Sequence, residues 1–398
     1  MRLMEFLGVR PTLPGLASRI ISALPAHDRR QWTFDAESGT LKDEAGAQIS
    51  LQNMFLEYTN SGVMARGALV RKYSDIASAQ SREIPAYWVA SMRNVIPVVR
   101  SEFVESALQI KFRATGTTFE QVVLPLAGDL RIRLVYDFGT FVRYVQPEHL
   151  ATWGKSVEDV LAQALANLGA LDAPVWRDLG HGVFRLISTM SYAESMLQLD
   201  KVLRALPFAE HAVLMPCNRG ILLASDERSE DGMKAMLEEA ARCLHAEPWP
   251  MSGVICRRHA GSWEVIELPA RLSQLAHSLE VQHLAQVYVD QKSQLEAVNE
   301  EAGRDVYVAE FALFGKDGIF ESYSVWTEGV GTLLPATDWV AVNPDGEARD
   351  FVRVTWQDLR RTCGARLAPT SDHPPRYLVN SFPDADEWSA LNRLAASD

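Results

Sequence analysis

The chain has 398 residues, with 39 Lys and Arg against 51 Asp and Glu for a net charge of −12, and it is 47% hydrophobic and 23% charged. Such a composition belongs to a globular protein of about two or three domains, each large enough to bury a core without disulfide or metal staples. The negative field repels phosphate backbones, and no concentrated basic stripe offsets it: Arg131 to Arg133, Cys256 to His259 and Arg66 to Lys72 read as solvated surface, which excludes a nucleic-acid role.

At the amino terminus, Met1 to Phe6 is followed by Arg10, Pro11 and Pro14, so no apolar core of signal-peptide length is expected. Nothing approaches the roughly 18 apolar residues of a membrane span. Cys217, Cys243, Cys256 and Cys363 form no CxxC pair, which predicts reduced thiols in a cytoplasmic protein.

The elements predict an α+β fold in four parts. Residues 1–115 read as a mainly helical region, with Leu16, Ile20, Ile21 and Leu24 on one face, then Ile49, Leu51, Met54, Phe55 and Tyr58 on a second. A third helix runs from about Gly62 to Ser78, and Ile84-Pro85 and Ile96-Pro97 punctuate the chain beyond it.

Residues 116–268 form the core domain. Strands are expected at 122–126, 130–136 and 141–145, separated by turns at Asp129 and Asp137. Ser156 with Asp159 starts one helix, Ser191 with Glu194 reads as the capping box of another, and a third spans 230–245. Between the last two, 212–215 and 221–224 form a hairpin whose continuous apolar runs imply burial on both faces. A further strand pair lies within 252–268, broken near Ala260 and Gly261.

Residues 269–303 read as a polar, partly acidic bridging helix with Leu272, Leu275, Leu279, Val287, Leu295 and Val298 as its apolar set. Residues 304–398 form a second, smaller α+β unit. It has strands at 306–314, 319–327, 339–342, 351–354 and 376–379, a Gly315 to Gly318 turn, a short helix near 356–362 and a terminal helix at 384–395.

Phosphate loops, HExxH and GxSxG are absent, which removes the commonest nucleotide-binding, zinc-protease and serine-hydrolase chemistries. Cys243, His245, Cys256 and His259 have the residue types of a zinc site, but the first spacing is too tight and Cys243 falls on an apolar helix face, so no metal and no cofactor is expected. The hairpin tip is the richest local site: Cys217, Asn218 and Arg219 place a thiol, an amide and a guanidinium where a small anion could be held, against the plainer reading of a tight turn. Asp129 and Asp137 are further ligand-binding candidates, although roughly 26 Å of extended strand keeps them from acting as one acid/base pair. Tyr323, Trp326, Trp339 and Trp356 are candidates for a partner-binding groove.

Several motifs in order carry a family resemblance. Pro125 to Asp137, Trp153-Gly154, Ala164 to Leu168, Ser191-Tyr192-Ala193 and Met215 to Arg219, preceded by Ile49 to Tyr58, resemble the YtpQ-like bacterial family of unknown function over about residues 15–265. The resemblance implies a bacterial protein with a mixed α/β core and brings no activity or catalytic residue. Met190 and Cys217 depart from the pattern, and the C-terminal unit extends beyond it.

With no coherent catalytic set, the expected function is a non-catalytic cytoplasmic protein-binding module, a regulator, adaptor or immunity-like protein, using an acidic and aromatic surface toward a basic partner. The alternative is an enzyme or sensor acting on a small anionic ligand around Asn218 and Arg219.

Overall fold

The computed structural model describes residues 10–29, 31–44, 48–79, 82–114, 120–316, 318–344 and 351–395. The reading of Met1 to Phe6, and Asp317 of the expected turn, lie outside them. The fold is α+β, with helices and several separate sheets.

The helix Leu13–Ala23 starts where Thr12 accepts from the Gly15 amide and Pro14 sits in the first turn. It buries Leu16, Ala17 and Ile20 against the helices Gln52–Asn60 and Val63–Ser78. The region is less helical than its periodicity suggests. A three-stranded meander, β1 (Trp32–Asp35), β2 (Thr40–Asp43) and β3 (Gln48–Ser50), adds Trp32, Leu41 and Ile49 to the same core. Its first turn needs Gly39 at φ +64°, a conformation that a side chain disfavours.

Residues 95–101 also leave the helical region: β4 (Val95–Ser101), buried at every position, pairs with the core. Pro97 is tolerated because β4 lies at the edge of its sheet, ordered β4-β6-β5, where β5 is Val123–Ala127 and β6 is Leu130–Asp137. The short β7 (Val142–Tyr144) joins β6 as well. The helix Val157–Leu171, capped by Ser156 on the Asp159 amide, lays Val160, Ala164 and Leu168 against this sheet.

A second, six-stranded antiparallel sheet runs β13-β12-β10-β11-β9-β8. Its centre is the expected hairpin, β10 (Ala212–Asn218) and β11 (Ile221–Asp226), whose side chains are buried on both faces. One face shares a core with the first sheet. The other receives Met233, Met236, Leu237 and Ala240 of the helix Glu230–Ala246. β12 (Cys256–His259) and β13 (Ser262–Val265) extend one side, and β8 (Val175–Gly180) and β9 (Val183–Ile187) the other.

The expected helix at Ser191 is instead a 3-10 segment, Ala193–Gln198, and one α-turn, Asp200–Leu203. Glu194 does not reach back to cap it, because its carboxylate is engaged inside the protein.

The long helix Ala270–Glu301 passes from the core to the C-terminal unit. Leu272 and Leu279 pack with the six-stranded sheet, Val281 and Tyr288 with Phe311, and Leu295 with Ile110, Val308 and Leu333. The C-terminal unit contains two four-stranded sheets. One is ordered β14-β17-β21-β20 (Tyr307–Val308, Thr332–Pro335, Arg376–Val379, Ala368–Pro369). The other is β15-β16-β18-β19 (Ala312–Lys316, Ile319–Thr327, Trp339–Asn343, Val352–Thr355). Helices Trp356–Cys363 and Ala385–Ala395 pack with the inner face of the second. Among the described residues, no helix is long and apolar enough to cross a membrane.

Candidate functional site

Two places gather unusual chemistry. The first is a charged cluster behind the β10–β11 turn. Arg100 at the end of β4 donates through Nη1 to Glu194 Oε1 at 2.8 Å, and the Gly220 amide donates to Glu194 Oε2 at 2.6 Å. Arg219 approaches Glu105 Oε1 at 3.3 Å, the Tyr144 hydroxyl donates to the same oxygen, and Arg133 Nε lies 3.6 Å from Glu105 Oε2. Three guanidiniums thus face two carboxylates.

All but Arg219 are largely out of water. Arg133 is 1% exposed, so it is not the solvated surface residue that Arg131 to Arg133 suggest, whereas Arg131 pairs with Glu102 at the surface. Burial opposes charge on Arg100, but Glu194, Tyr144 and Glu105 together more than offset it and hold the guanidinium above its ordinary pKa. Burial, then Glu105, pushes the Tyr144 phenol up. Arg219 is lowered by burial and by Arg100, and its guanidinium lies over the Trp249 ring at 5.1 Å.

The other hairpin residues face inward. Cys217 is in the core, where burial raises its thiol well above the ordinary range. Asn218, also fully buried, donates to the carbonyls of Cys243, Glu247 and Pro248 and so ties the turn to the end of the helix Glu230–Ala246. Arg219 alone of the three reaches solvent. Asp137 accepts from the Tyr192 hydroxyl at 2.9 Å and from the Gly139 amide, while Asp129 is buried elsewhere between Ser101 and Ser252. The five turn residues are therefore not one constellation.

Nor do the zinc-type residues converge. Cys243 faces Cys217 on one side of the six-stranded sheet, Cys256 packs in the core on the other, and no group of three or more ligating side chains gathers among the described residues. Arg257 instead pairs with Glu227 and Glu264, and Arg258 with Asp200.

The second place is the outer face of β15-β16-β18-β19. Strand alternation sends Ser322, Ser324 and Trp326 inward and Tyr323 and Val325 outward. Tyr323 stands opposite Trp339 in the parallel pairing of β16 with β18, and Val325 opposite Ala341. With Phe314, Phe351 and Arg353 they line a groove of about 470 Å³. Phe314 and Tyr323 rings lie 6.0 Å apart, and the Arg353 guanidinium covers Trp339 at 4.4 Å. Tyr323, Val325 and Phe351 are 37%, 40% and 49% exposed, unusual for a contiguous apolar face.

Of the four aromatic candidates, Tyr323 and Trp339 share this groove. Trp326 is 1% exposed and packs edge-on to Phe382 in the core, and Trp356 is half-buried against Tyr377. The parity of β16 separates Tyr323 from Trp326, a signal present in the strand period. Val325 is legible by the same parity, whereas Phe314 on β15 and Phe351 just ahead of β19 join the groove only through the sheet. Arg100, Arg133 and Glu105 carry a fainter signal, charges set within apolar stretches.

Comparison with known protein families finds none that matches, and no curated protein or solved structure matches the chain either.

Proposed function

We propose that this chain is a non-catalytic cytoplasmic protein-binding module that seats a basic protein partner, and not a nucleic acid, on the outer face of its C-terminal sheet. The observation that carries this reading is the groove around Tyr323, Val325 and Trp339. Such aromatic side chains are the residues that anchor interfaces, because they bury large area at small entropy cost. A net charge of −12 steers a basic partner toward them. The resemblance to the YtpQ-like family belongs to this proposal and adds no activity to it.

The test is capture of partners from native lysate by the intact chain and by Val325→Asp side by side, at low and moderate salt. A stoichiometric, salt-sensitive basic protein held by the first and lost by the second supports the reading. Equal capture by both, or no stoichiometric partner of either, overturns it.

A second reading has one observation in its favour, the single excess positive charge of the cluster that Arg219 brings to the surface. It makes Arg219 the contact for a small anion. Loss of phosphate or carboxylate binding in Arg219→Gln, measured by calorimetry, supports it, and no binding by the unaltered chain removes it.

A further inference from the structure

A cavity of about 450 Å³ lies apart from both places, where the Gly128–Asp129 turn, the segment entering β12 and the chain leaving β13 close against the long helix. Ser273, His277, Glu280 and Leu284, spaced by three or four residues, turn one face of that helix toward it. The volume suits a small organic molecule.

Its walls are mostly apolar, with Phe103, Val254, Ile266 and Leu268 among them, and its polar groups are mainly acceptors. Asp129, 7% exposed, accepts from the hydroxyls of Ser101 and Ser252, the latter at 2.7 Å. His283 Nε2 lies 3.1 Å from the Met251 carbonyl, which can only accept, so Nε2 carries a proton and, in the neutral imidazole that burial favours, Nδ1 keeps its lone pair. Glu280 makes no hydrogen bond or ion pair among the described residues. His277, the other basic group of the lining, is held by Asp338 at 2.8 Å. Burial raises the Asp129 and Glu280 carboxyls, against the opposing pull of His283 on the first and His277 on the second, and lowers the His283 imidazole.

This inventory discriminates among ligands. An anion meets two carboxyls, and a divalent metal finds no group of three ligating side chains among the described residues. An ammonium head carries three N–H donors, matching Asp129, Glu280 and the open Nδ1 of His283, and an organic body suits the apolar wall. We propose that this cavity binds a small primary amine as its ammonium ion, the head between the carboxyl groups of Asp129 and Glu280 and an alkyl or aryl body against Phe103, Val254 and Leu284. The site is independent of the aromatic groove.

Calorimetric titration of the intact chain with benzylamine, phenethylamine and cyclohexylamine, and with the alcohols of the same carbon skeletons, tests the proposal. Saturable one-to-one binding of an amine is expected, with the matching alcohol weaker by about tenfold or more. Glu280→Gln, isosteric and at a position without a hydrogen bond, keeps the fold and should weaken the amine by about tenfold while leaving the alcohol unchanged. Asp129→Asn is the deeper variant, read only where its melting curve matches the parent. No amine saturating below about 10 mM, equal binding of amine and alcohol, or an unchanged amine affinity in Glu280→Gln overturns it.

Discussion

Arg100 and Glu194 lie 94 positions apart in sequence and meet at 2.8 Å with their side chains 6% and 0% exposed. The second carboxylate oxygen of Glu194 takes the Gly220 amide, so one side chain joins β4, the 3-10 segment and the β10–β11 turn. A buried pair of this kind adds modest net stability when intact, because desolvating both charges offsets their attraction. Its loss is a different matter.

Glu194→Gln leaves Arg100 without its ion-pair partner, with three guanidiniums facing Glu105 alone, and Gly220 with a poorer acceptor, which should lower unfolding free energy by about 3–5 kcal/mol. The double substitution Arg100→Met with Glu194→Met removes the orphaned charge and should recover part of the loss. Urea denaturation of the parent, the single and the double variant gives the comparison. A single variant within about 0.5 kcal/mol of the parent would show that the pair is not held as described.

The His277–Asp338 bridge predicts a pH dependence at the junction of the long helix with the C-terminal sheet. Its hydrogen bond with Asp338 raises the His277 pKa above the ordinary 6.5, so its contribution is full below 6.5 and is lost as pH rises through the raised value. Burial alone would raise Asp338, but the bonds from His277 and Ser322 hold it below 3.8, so its contribution is full above 3.8 and is lost as pH falls through the lowered value. The bridge is therefore strongest between those limits. His277 is 43% exposed, so solvent screening reduces the effect to about 0.5 kcal/mol. Urea midpoints of the parent near pH 5 and pH 9 should differ by more than those of His277→Gln, and parallel curves would refute the assignment.

Arg376 is fully buried with no ion-pair partner among the described residues, and burial lowers its pKa to about 10. Nη1 donates to the carbonyls of Ala309 and Leu333 at 2.8 and 3.0 Å, Nε donates to Gln291, and the guanidinium lies 5.1 Å from the Tyr288 ring centre. One side chain thus joins the long helix to two segments of the C-terminal unit. Arg376→Met keeps much of the volume but leaves those acceptors dry, and a loss of about 2–4 kcal/mol is expected. Hydrogen exchange should show it as faster exchange in β17 and β21 than in β10 and β11.

These interactions join segments far apart in sequence, beyond the reach of any local pattern. Ser156, Ser229 and Thr355 cap their own helices through contacts within three residues, and the apolar runs at 212–226 imply their own burial, so these elements were legible. Glu194 has the spacing of a capping box, but its partner arrives from β4 and no local pattern announces it. Ile96-Pro97 reads locally as a break in a helical region, and that it lies in an edge strand shows only in the sheet order. The aromatic groove is half legible: the parity of β16 alone separates Tyr323 from Trp326, but setting Trp339 beside Tyr323 and Trp356 apart from both takes the register of β16 on β18 and the packing beneath. Asp129 was picked as a turn residue, whereas its partners Ser101, Ser252 and His283 come from three distant segments.

Gly232 offers a prediction opposite in sign to helix propensity. It sits in the first turn of the helix Glu230–Ala246, where replacing Gly with Ala ordinarily stabilises by up to about 1 kcal/mol. Here a Cβ would stand 2.6 Å from Ser225 Oγ and 2.9 Å from Ser229 Oγ. Neither oxygen is free to move: Ser225 is fully buried and donates to the Gly182 carbonyl, and Ser229 caps the helix by accepting from the Gly232 amide. The clash outweighs the propensity, and Gly232→Ala should destabilise by about 1–3 kcal/mol. Ser225→Ala exchanges the hydroxyl for open space at the closest contact, so the double variant Ser225→Ala with Gly232→Ala should lose less than the sum of the two single losses. Thermal melts of the four proteins in a double-mutant cycle measure that coupling. Additive losses would mean that Gly232 is held small by something other than Ser225.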